Sequence, residues 1–144
     1  MAEFELSEWI NAAPETVFAV MTDPARAPDV IKSVTQMEKL TDGPVRTGTR
    51  LRETRVVNGK EAQAEMTVIA YQPPSHYAVA AEQSGITVTY TYTLAPEDGG
   101  TRVQLLANIT GGGLKKLVLP VVASIMKRED GSHLENLKTA VEGT

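Results

Sequence analysis

Alternation of apolar and polar positions dominates the middle of the chain. In 86–94 the even positions are Ile86, Val88, Tyr90, Tyr92 and Leu94, while the odd ones are Thr87, Thr89, Thr91 and Thr93. In 101–109 the apolar set is Val103, Leu105, Ala107 and Ile109, and in 60–70 it is Ala62, Ala64, Met66, Val68 and Ala70. A period of two puts each set on one side of a strand, so each strand has one dry face and one wet face. "EFELSEWIN" at 3–11 groups Phe4, Leu6 and Ile10 in the same way and predicts an opening strand. Turn signals then divide 34–109 into strand after strand: "TDGP" at 41–44, "VNGK" at 57–60, "QPPS" at 72–75, "QSGI" at 83–86 and "PEDGG" at 96–100. Asn58-Gly59 is a strong hairpin signal, because both residues tolerate the positive φ that a two-residue turn demands.

Helical patterns lie outside this block. "AAPETVFAVMTDP" at 12–24 places Pro14 early, Glu15 in the first turn, and Val17, Phe18 and Met21 on one face. Pro24 stops it, and "PARAPDVIKS" adds at most a short second helix. After "TGGGL" a long helix is expected over about 114–142, with a contact stripe through Leu119, Val122, Met126, Leu134, Leu137 and Val141. Its first part, Leu114 to Met126, has only Lys115, Lys116 and Ser124 as polar residues. That run is too short to span a membrane, which takes roughly 20 apolar residues. It reads as a core helix or as one lying at a membrane surface. Pro120 either opens the main helix, leaving 114–119 as a separate turn, or kinks a continuous one.

A sheet with one dry face needs a cover, and the C-terminal helix supplies it. The expected fold is α+β: a curved antiparallel sheet of about seven strands on a long C-terminal helix, with one or two short helices after the first strand. No repeat, linker or low-complexity stretch interrupts the pattern, so 1–144 is read as a single domain.

Composition changes this picture in two ways. Aromatics are only 5% of residues, so the core is filled by small and branched side chains or is left partly unfilled. A net charge of −4 argues against nucleic acid as a partner. There is no cysteine, and "MAEFELSEW" has no apolar signal core, so a cytoplasmic protein is expected.

Candidate chemistry is sparse. His76 and His133 lie far apart with no matching acid cluster, so each is expected to be solvated and no metal site is expected. No phosphate loop or dinucleotide fingerprint is present, and no cofactor is expected. Some charged residues fall on faces that should be dry. Glu8 belongs to the Phe4 set, and Glu53 and Arg55 share a face with Leu51 and Val57. The opposite face of "RLRETRV" holds Arg50, Arg52, Thr54 and Val56, so the register stays open. One reading is an inward acid–cation pair able to orient a ligand carbonyl or hydroxyl; the other is a solvent-facing charge ladder. Tyr90 and Tyr92 have a clear phase, and either fill the core or offer hydroxyls to a cavity. Tyr71 and Tyr77 flank "QPPS" near one end of the sheet, and Asn108 faces away from the dry side.

Five segments, in order, carry a resemblance. They are "INAAPETVFAVMTDP" (10–24), "GPVRTGTRLRETRVVNGK" (43–60), "AYQPPSHYAV" (70–79), "YTYTLAPEDGGTRV" (90–103) and "LENLKTAVE" (134–142). Together they resemble the START-like helix-grip superfamily, and within it the SRPBCC branch of polyketide cyclase/dehydrase and lipid transport proteins. Many relatives place a tryptophan after the "D-P" pair. Here the stretch is "APDVIKSV", so no aromatic wall is expected there.

The resemblance implies a deep cavity between sheet and long helix, opening near the short helix and the strand-connecting loops. Ala62, Ala64, Ala70, Ala78, Ala80, Ala81 and Ala107 permit such a space, though small residues can equally draw the layers together. Glu53, Arg55, Met66, Tyr90, Tyr92, Val122 and Met126 are the candidates for its wall. The expected function is binding of a small hydrophobic molecule, a lipid, polyketide or isoprenoid-like compound. A polyketide aromatase/cyclase or dehydratase-type enzyme and a protein-interaction module of the same fold are the alternatives. No catalytic residue is singled out, and monomer and homodimer both stay open.

Overall fold

The structure, a computed structural model, describes residues 2–143 apart from the side chain of Val57. Strand β1 (Ala2–Ile10) leads into helix α1 (Pro14–Met21), a 3-10 turn (Pro24–Arg26) and the short α2 (Ala27–Val30). Six strands follow: β2 (Val34–Lys39), β3 (Arg50–Val57), β4 (Lys60–Gln72), β5 (His76–Gln83), β6 (Ile86–Glu97) and β7 (Gly100–Gly111). A second 3-10 turn (Gly113–Leu117) precedes α3 (Leu119–Asp130) and α4 (His133–Glu142).

The strands form one antiparallel seven-stranded sheet in the order β1-β7-β6-β5-β4-β3-β2. Three of its hairpins turn on a pair of positive-φ residues: Asn58-Gly59, Ser84-Gly85 and Asp98-Gly99. Such pairs match the twist of the flanking strands, which is why the turn residues mark the strand ends so cleanly. Tyr90 sits opposite Ala107 and Tyr92 opposite Leu105, so the apolar sets of β6 and β7 share one face. The β7 set foreseen from alternation is the centre of the core, with Val103, Leu105, Ala107 and Ile109 all buried. On β4 the register to β5 shifts between Val68 and Ala70, and Ile69 is left facing solvent. That extra residue bends the strand.

The C-terminal segment departs from a single helix over 114–142. Residues 113–117 form a separate 3-10 turn, and Pro120 lies in the first turn of α3. Its missing N–H is no loss there, so Pro120 helps to start a helix rather than kink one. A second break, not foreseen, falls at Gly131-Ser132 between α3 and α4. A Cβ on Gly131 would lie 2.4 Å from the carbonyl oxygen of Lys127, so a larger residue cannot take this turn without displacing backbone. Helix α4 inserts Leu134, Leu137 and Val141 into the core and packs on β1, α1 and α2, while α3 packs on β1 and β7. Each such buried side chain contributes about 1.5–3 kcal/mol.

Candidate functional site

Between β3–β6 and α3 lies a cavity of about 560 Å³. Its wall is largely apolar, with Leu51, Met66, Val79, Val88, Val122 and Met126 among its members. The size falls within the range of small-molecule sites. Ala62, Ala64, Ala80 and Ala81 leave room here, whereas Ala78 and Ala107 are packed in the core. The small residues therefore do both things, at different ends of the sheet. The lining residues exposed to solvent are Ala62, Gln63, Gln83, Ser84, Ile125 and Glu129. Those from α1 and α2 (Met21, Ala27 and Val30) are buried or half-buried. The solvent-exposed part of the wall thus lies between α3 and the strand-connecting turns, as expected, while the part of that expectation that put the opening beside the short helix is corrected.

All seven candidate residues, Glu53, Arg55, Met66, Tyr90, Tyr92, Val122 and Met126, lie on this wall. The β3 register is also settled, and both of its readings describe a real face. Glu53 is buried opposite Ala64, with Arg55 beside it, while Arg50 and Arg52 point outward to Glu65. Val57, expected on the Glu53 face, has its side chain outside the described residues. Glu8 is half-buried on β1 and lies off the cavity wall, as does Asn108. Tyr77 reaches the wall, while Tyr71 and Phe18 pack edge-on against it and each other.

Arg55 organises a polar cluster at one end of the apolar wall. Its Nε donates to Glu53 Oε1 at 2.5 Å, and its Nη1 donates to Asp130 Oδ1 at 2.9 Å and to Ser33 Oγ at 3.2 Å. Burial works against its charge. The hydrogen bonds and negative charges of Glu53 and Asp130 outweigh that and hold the guanidinium above its ordinary range. Nη2 makes no hydrogen bond to any described residue. Asp130, 2% exposed, accepts a second bond from the Tyr90 hydroxyl at 2.5 Å. Burial, reinforced by Asp130, pushes the Tyr90 phenol far up, so it stays protonated and donates.

A second pair adjoins it. The Tyr92 hydroxyl lies 2.9 Å from His133 Nε2, and His133 Nδ1 lies 3.2 Å from the carbonyl oxygen of Val30. A carbonyl only accepts, so Nδ1 carries the hydrogen. Burial lowers the His133 pKa and favours the neutral ring, whose Nε2 then accepts from Tyr92. The expectation of a solvated His133 is therefore corrected, while His76 is exposed. Asp130 and His133 were both missed as site residues. The available signal was spacing: Met126, Asp130 and Leu134 follow at intervals of four, which puts Asp130 on the apolar stripe. Among the described residues no group of His, Cys, Asp and Glu is placed to hold a metal ion. The set can donate from a cation, accept at carboxylates and phenol oxygens, and polarise a carbonyl.

A curved antiparallel sheet closed by C-terminal helices around a mostly apolar cavity defines a helix-grip protein of the START-like type. The chain belongs to the polyketide cyclase / dehydrase and lipid transport family, whose model matches residues 1–142. Solved structures share the fold. Ara h 8.0201 is 19% identical over 99% of both chains, with a TM-score of 0.81. A protein from Thermus thermophilus is 22% identical over 99% of this chain and 98% of its own, with a TM-score of 0.79. The di-domain ARO/CYC protein BexL of the BE-7585A biosynthetic pathway is 18% identical, with a TM-score of 0.81, over 99% of this chain and 47% of its own. No curated protein matches by sequence.

Proposed function

We propose that this protein binds a small, mostly apolar molecule of lipid, polyketide or isoprenoid type, with an oxygen-bearing end against Arg55. The carrying observation is the cavity of about 560 Å³ whose apolar wall ends in one polar cluster with an uncommitted donor. Apolar burial supplies the affinity, at roughly 25 cal/mol per Å² before the costs of association. A ligand oxygen accepting from Arg55 Nη2 adds a charge-assisted hydrogen bond. Glu53 and Asp130 outnumber Arg55, so a neutral carbonyl or hydroxyl suits this end better than a carboxylate. A hydroxyl has a further partner in the oxygen of Tyr92, whose own proton is committed to His133. The test is native mass spectrometry of freshly purified protein, then organic extraction of what is bound. A defined apolar species at near-unit stoichiometry is expected. Protein that is empty and also fails to take up an environment-sensitive apolar dye would overturn the reading.

A second reading is favoured by the convergence of Glu53, Arg55, Asp130 and Tyr90. A ketone oxygen held by Arg55 would be polarised, and a carboxylate such as Glu53 could take the proton from the adjacent carbon. The C–H electron pair then forms the enolate, whose oxygen stays on Arg55. This is the first step of an aromatase/cyclase or dehydratase-type reaction. Deuterium uptake next to the carbonyl of a bound diketone, lost in Glu53→Gln, would support it. Exchange at the uncatalysed rate would remove it.

A further inference from the structure

The turn after β7 and the outer side of α3 expose a run of large apolar side chains. Leu114 is 85% exposed, Leu117 77% and Val121 59%, with Val118 and Ile125 also open to solvent. Val121 and Ile125 lie four apart on one stripe of α3, and Val118 stands at its N-terminal cap. The same stretch carries a local excess of positive charge. Residues 111–128 hold Lys115, Lys116, Lys127 and Arg128 and no acidic residue, in a protein of net charge −4. None of these four makes an ion pair among the described residues. The stem of Lys115 lies over the β5–β6 turn, where a Cβ on Gly85 would meet its Cε at 3.0 Å. This holds one cation beside the exposed leucines.

We propose that this face docks on an anionic lipid surface. Leucine and valine side chains entering the headgroup boundary, with lysines level with the phosphates, is the arrangement of an interfacial amphipathic segment. No helix among the described residues is long and apolar enough to cross a membrane. A second copy of the chain fits poorly, because a twofold contact would set this cationic stretch against itself. A neutral soluble partner would cover the leucines and leave the lysines without a counter-charge.

The face also adjoins the cavity. Ile125 belongs both to the exposed stripe and to the cavity wall, and Val122 and Met126 line the cavity from the same turns. Docked in this way, α3 lies between the lipid and the ligand space, with the Gln83-Ser84 edge of the mouth alongside. Transfer from bilayer to cavity rests on the ligand-binding reading above; docking itself does not.

The test is flotation with vesicles of phosphatidylcholine alone and of phosphatidylcholine with one-third phosphatidylglycerol. Flotation with the anionic vesicles is expected, reversed by high salt. Lys115→Glu/Lys116→Glu should weaken it by about tenfold or more, as expected for two cations at a charged surface. Leu114→Ser/Leu117→Ser should weaken it comparably with an unchanged thermal melt, since both residues are exposed. No flotation of the native protein with either composition, or flotation of both variants undiminished from that of the native protein, overturns docking. So does a dimer in sedimentation that the leucine variant dissolves while no vesicle binding is seen. Dye uptake by the same proteins separates the two ideas. Flotation without dye uptake ends the cavity reading and leaves docking standing; dye uptake without flotation does the reverse.

Discussion

Tyr92 and His133 meet at 2.9 Å across the seam between β6 and α4, with the imidazole held on its other side by the carbonyl of Val30. Burial lowers the pKa of this histidine below its ordinary value near 6.5. The unfolded chain then takes up a proton before the folded one does, so stability is lost as pH falls below about 6.5. Denaturation midpoints from about pH 7.5 down to pH 5 should fall for the native protein and fall less for His133→Gln. Equal slopes would place His133 in solvent.

Asp130 answers to two donors. In Asp130→Asn, Arg55 keeps Glu53 and Ser33 but loses its second carboxylate, and Tyr90 loses a charged acceptor. Chemical denaturation should show a loss of about 1–3 kcal/mol. Tyr90→Phe should cost less, and the two changes together should fall short of their sum because they share a bond. Strict additivity would mean that the Tyr90–Asp130 contact carries no energy.

At alkaline pH the sign is set by the phenols. Burial raises Tyr77, Tyr90 and Tyr92 above the ordinary tyrosine range. Their contribution is present below the unfolded pKa of about 10 and is lost as pH rises past it. In an ultraviolet titration, part of the tyrosinate signal should appear only together with unfolding. All of the protein's 4 tyrosines titrating while the fold persists would contradict their burial.

Ala64 lines the cavity opposite Glu53 on the neighbouring strand. Ala64→Phe should occupy the ligand space and cut apolar dye uptake by about tenfold while costing no more than about 1–3 kcal/mol of stability. Unchanged uptake would mean that the dye sits elsewhere.

The chain's pattern makes the sheet legible and the site only half so. Threonines at every odd position of 87–93 leave one orientation for Tyr90 and Tyr92, and the structure has it. In "RLRETRV" both faces carry charge, and what decides between them is Asp130, 75 residues further on, which no local pattern can weigh. Asp130 itself stands in "KRED", which reads as a solvated helix end until the stripe is followed at intervals of four. His133 looks isolated because its partner Tyr92 is 41 residues away and Val30 103. The helix break was illegible for a related reason. Gly131 adopts ordinary helical angles, and only the close approach of the Lys127 carbonyl sets it apart.

That break gives the polar cluster a mechanical meaning. Asp130 is the last residue of α3 and His133 the first of α4, and two neighbouring tyrosines on one face of β6 each fasten one side of the joint. Tyr92 rivets α4, which is anchored anyway by Leu134, Leu137 and Val141. Tyr90 and Arg55 are what fasten the end of α3. A guest molecule whose oxygen accepts from Nη2 of Arg55 leaves these latching bonds intact, whereas one that takes the Tyr90 hydroxyl draws on the bond to Asp130. The chamber can therefore be filled from the Arg55 side without loosening the joint that holds its wall.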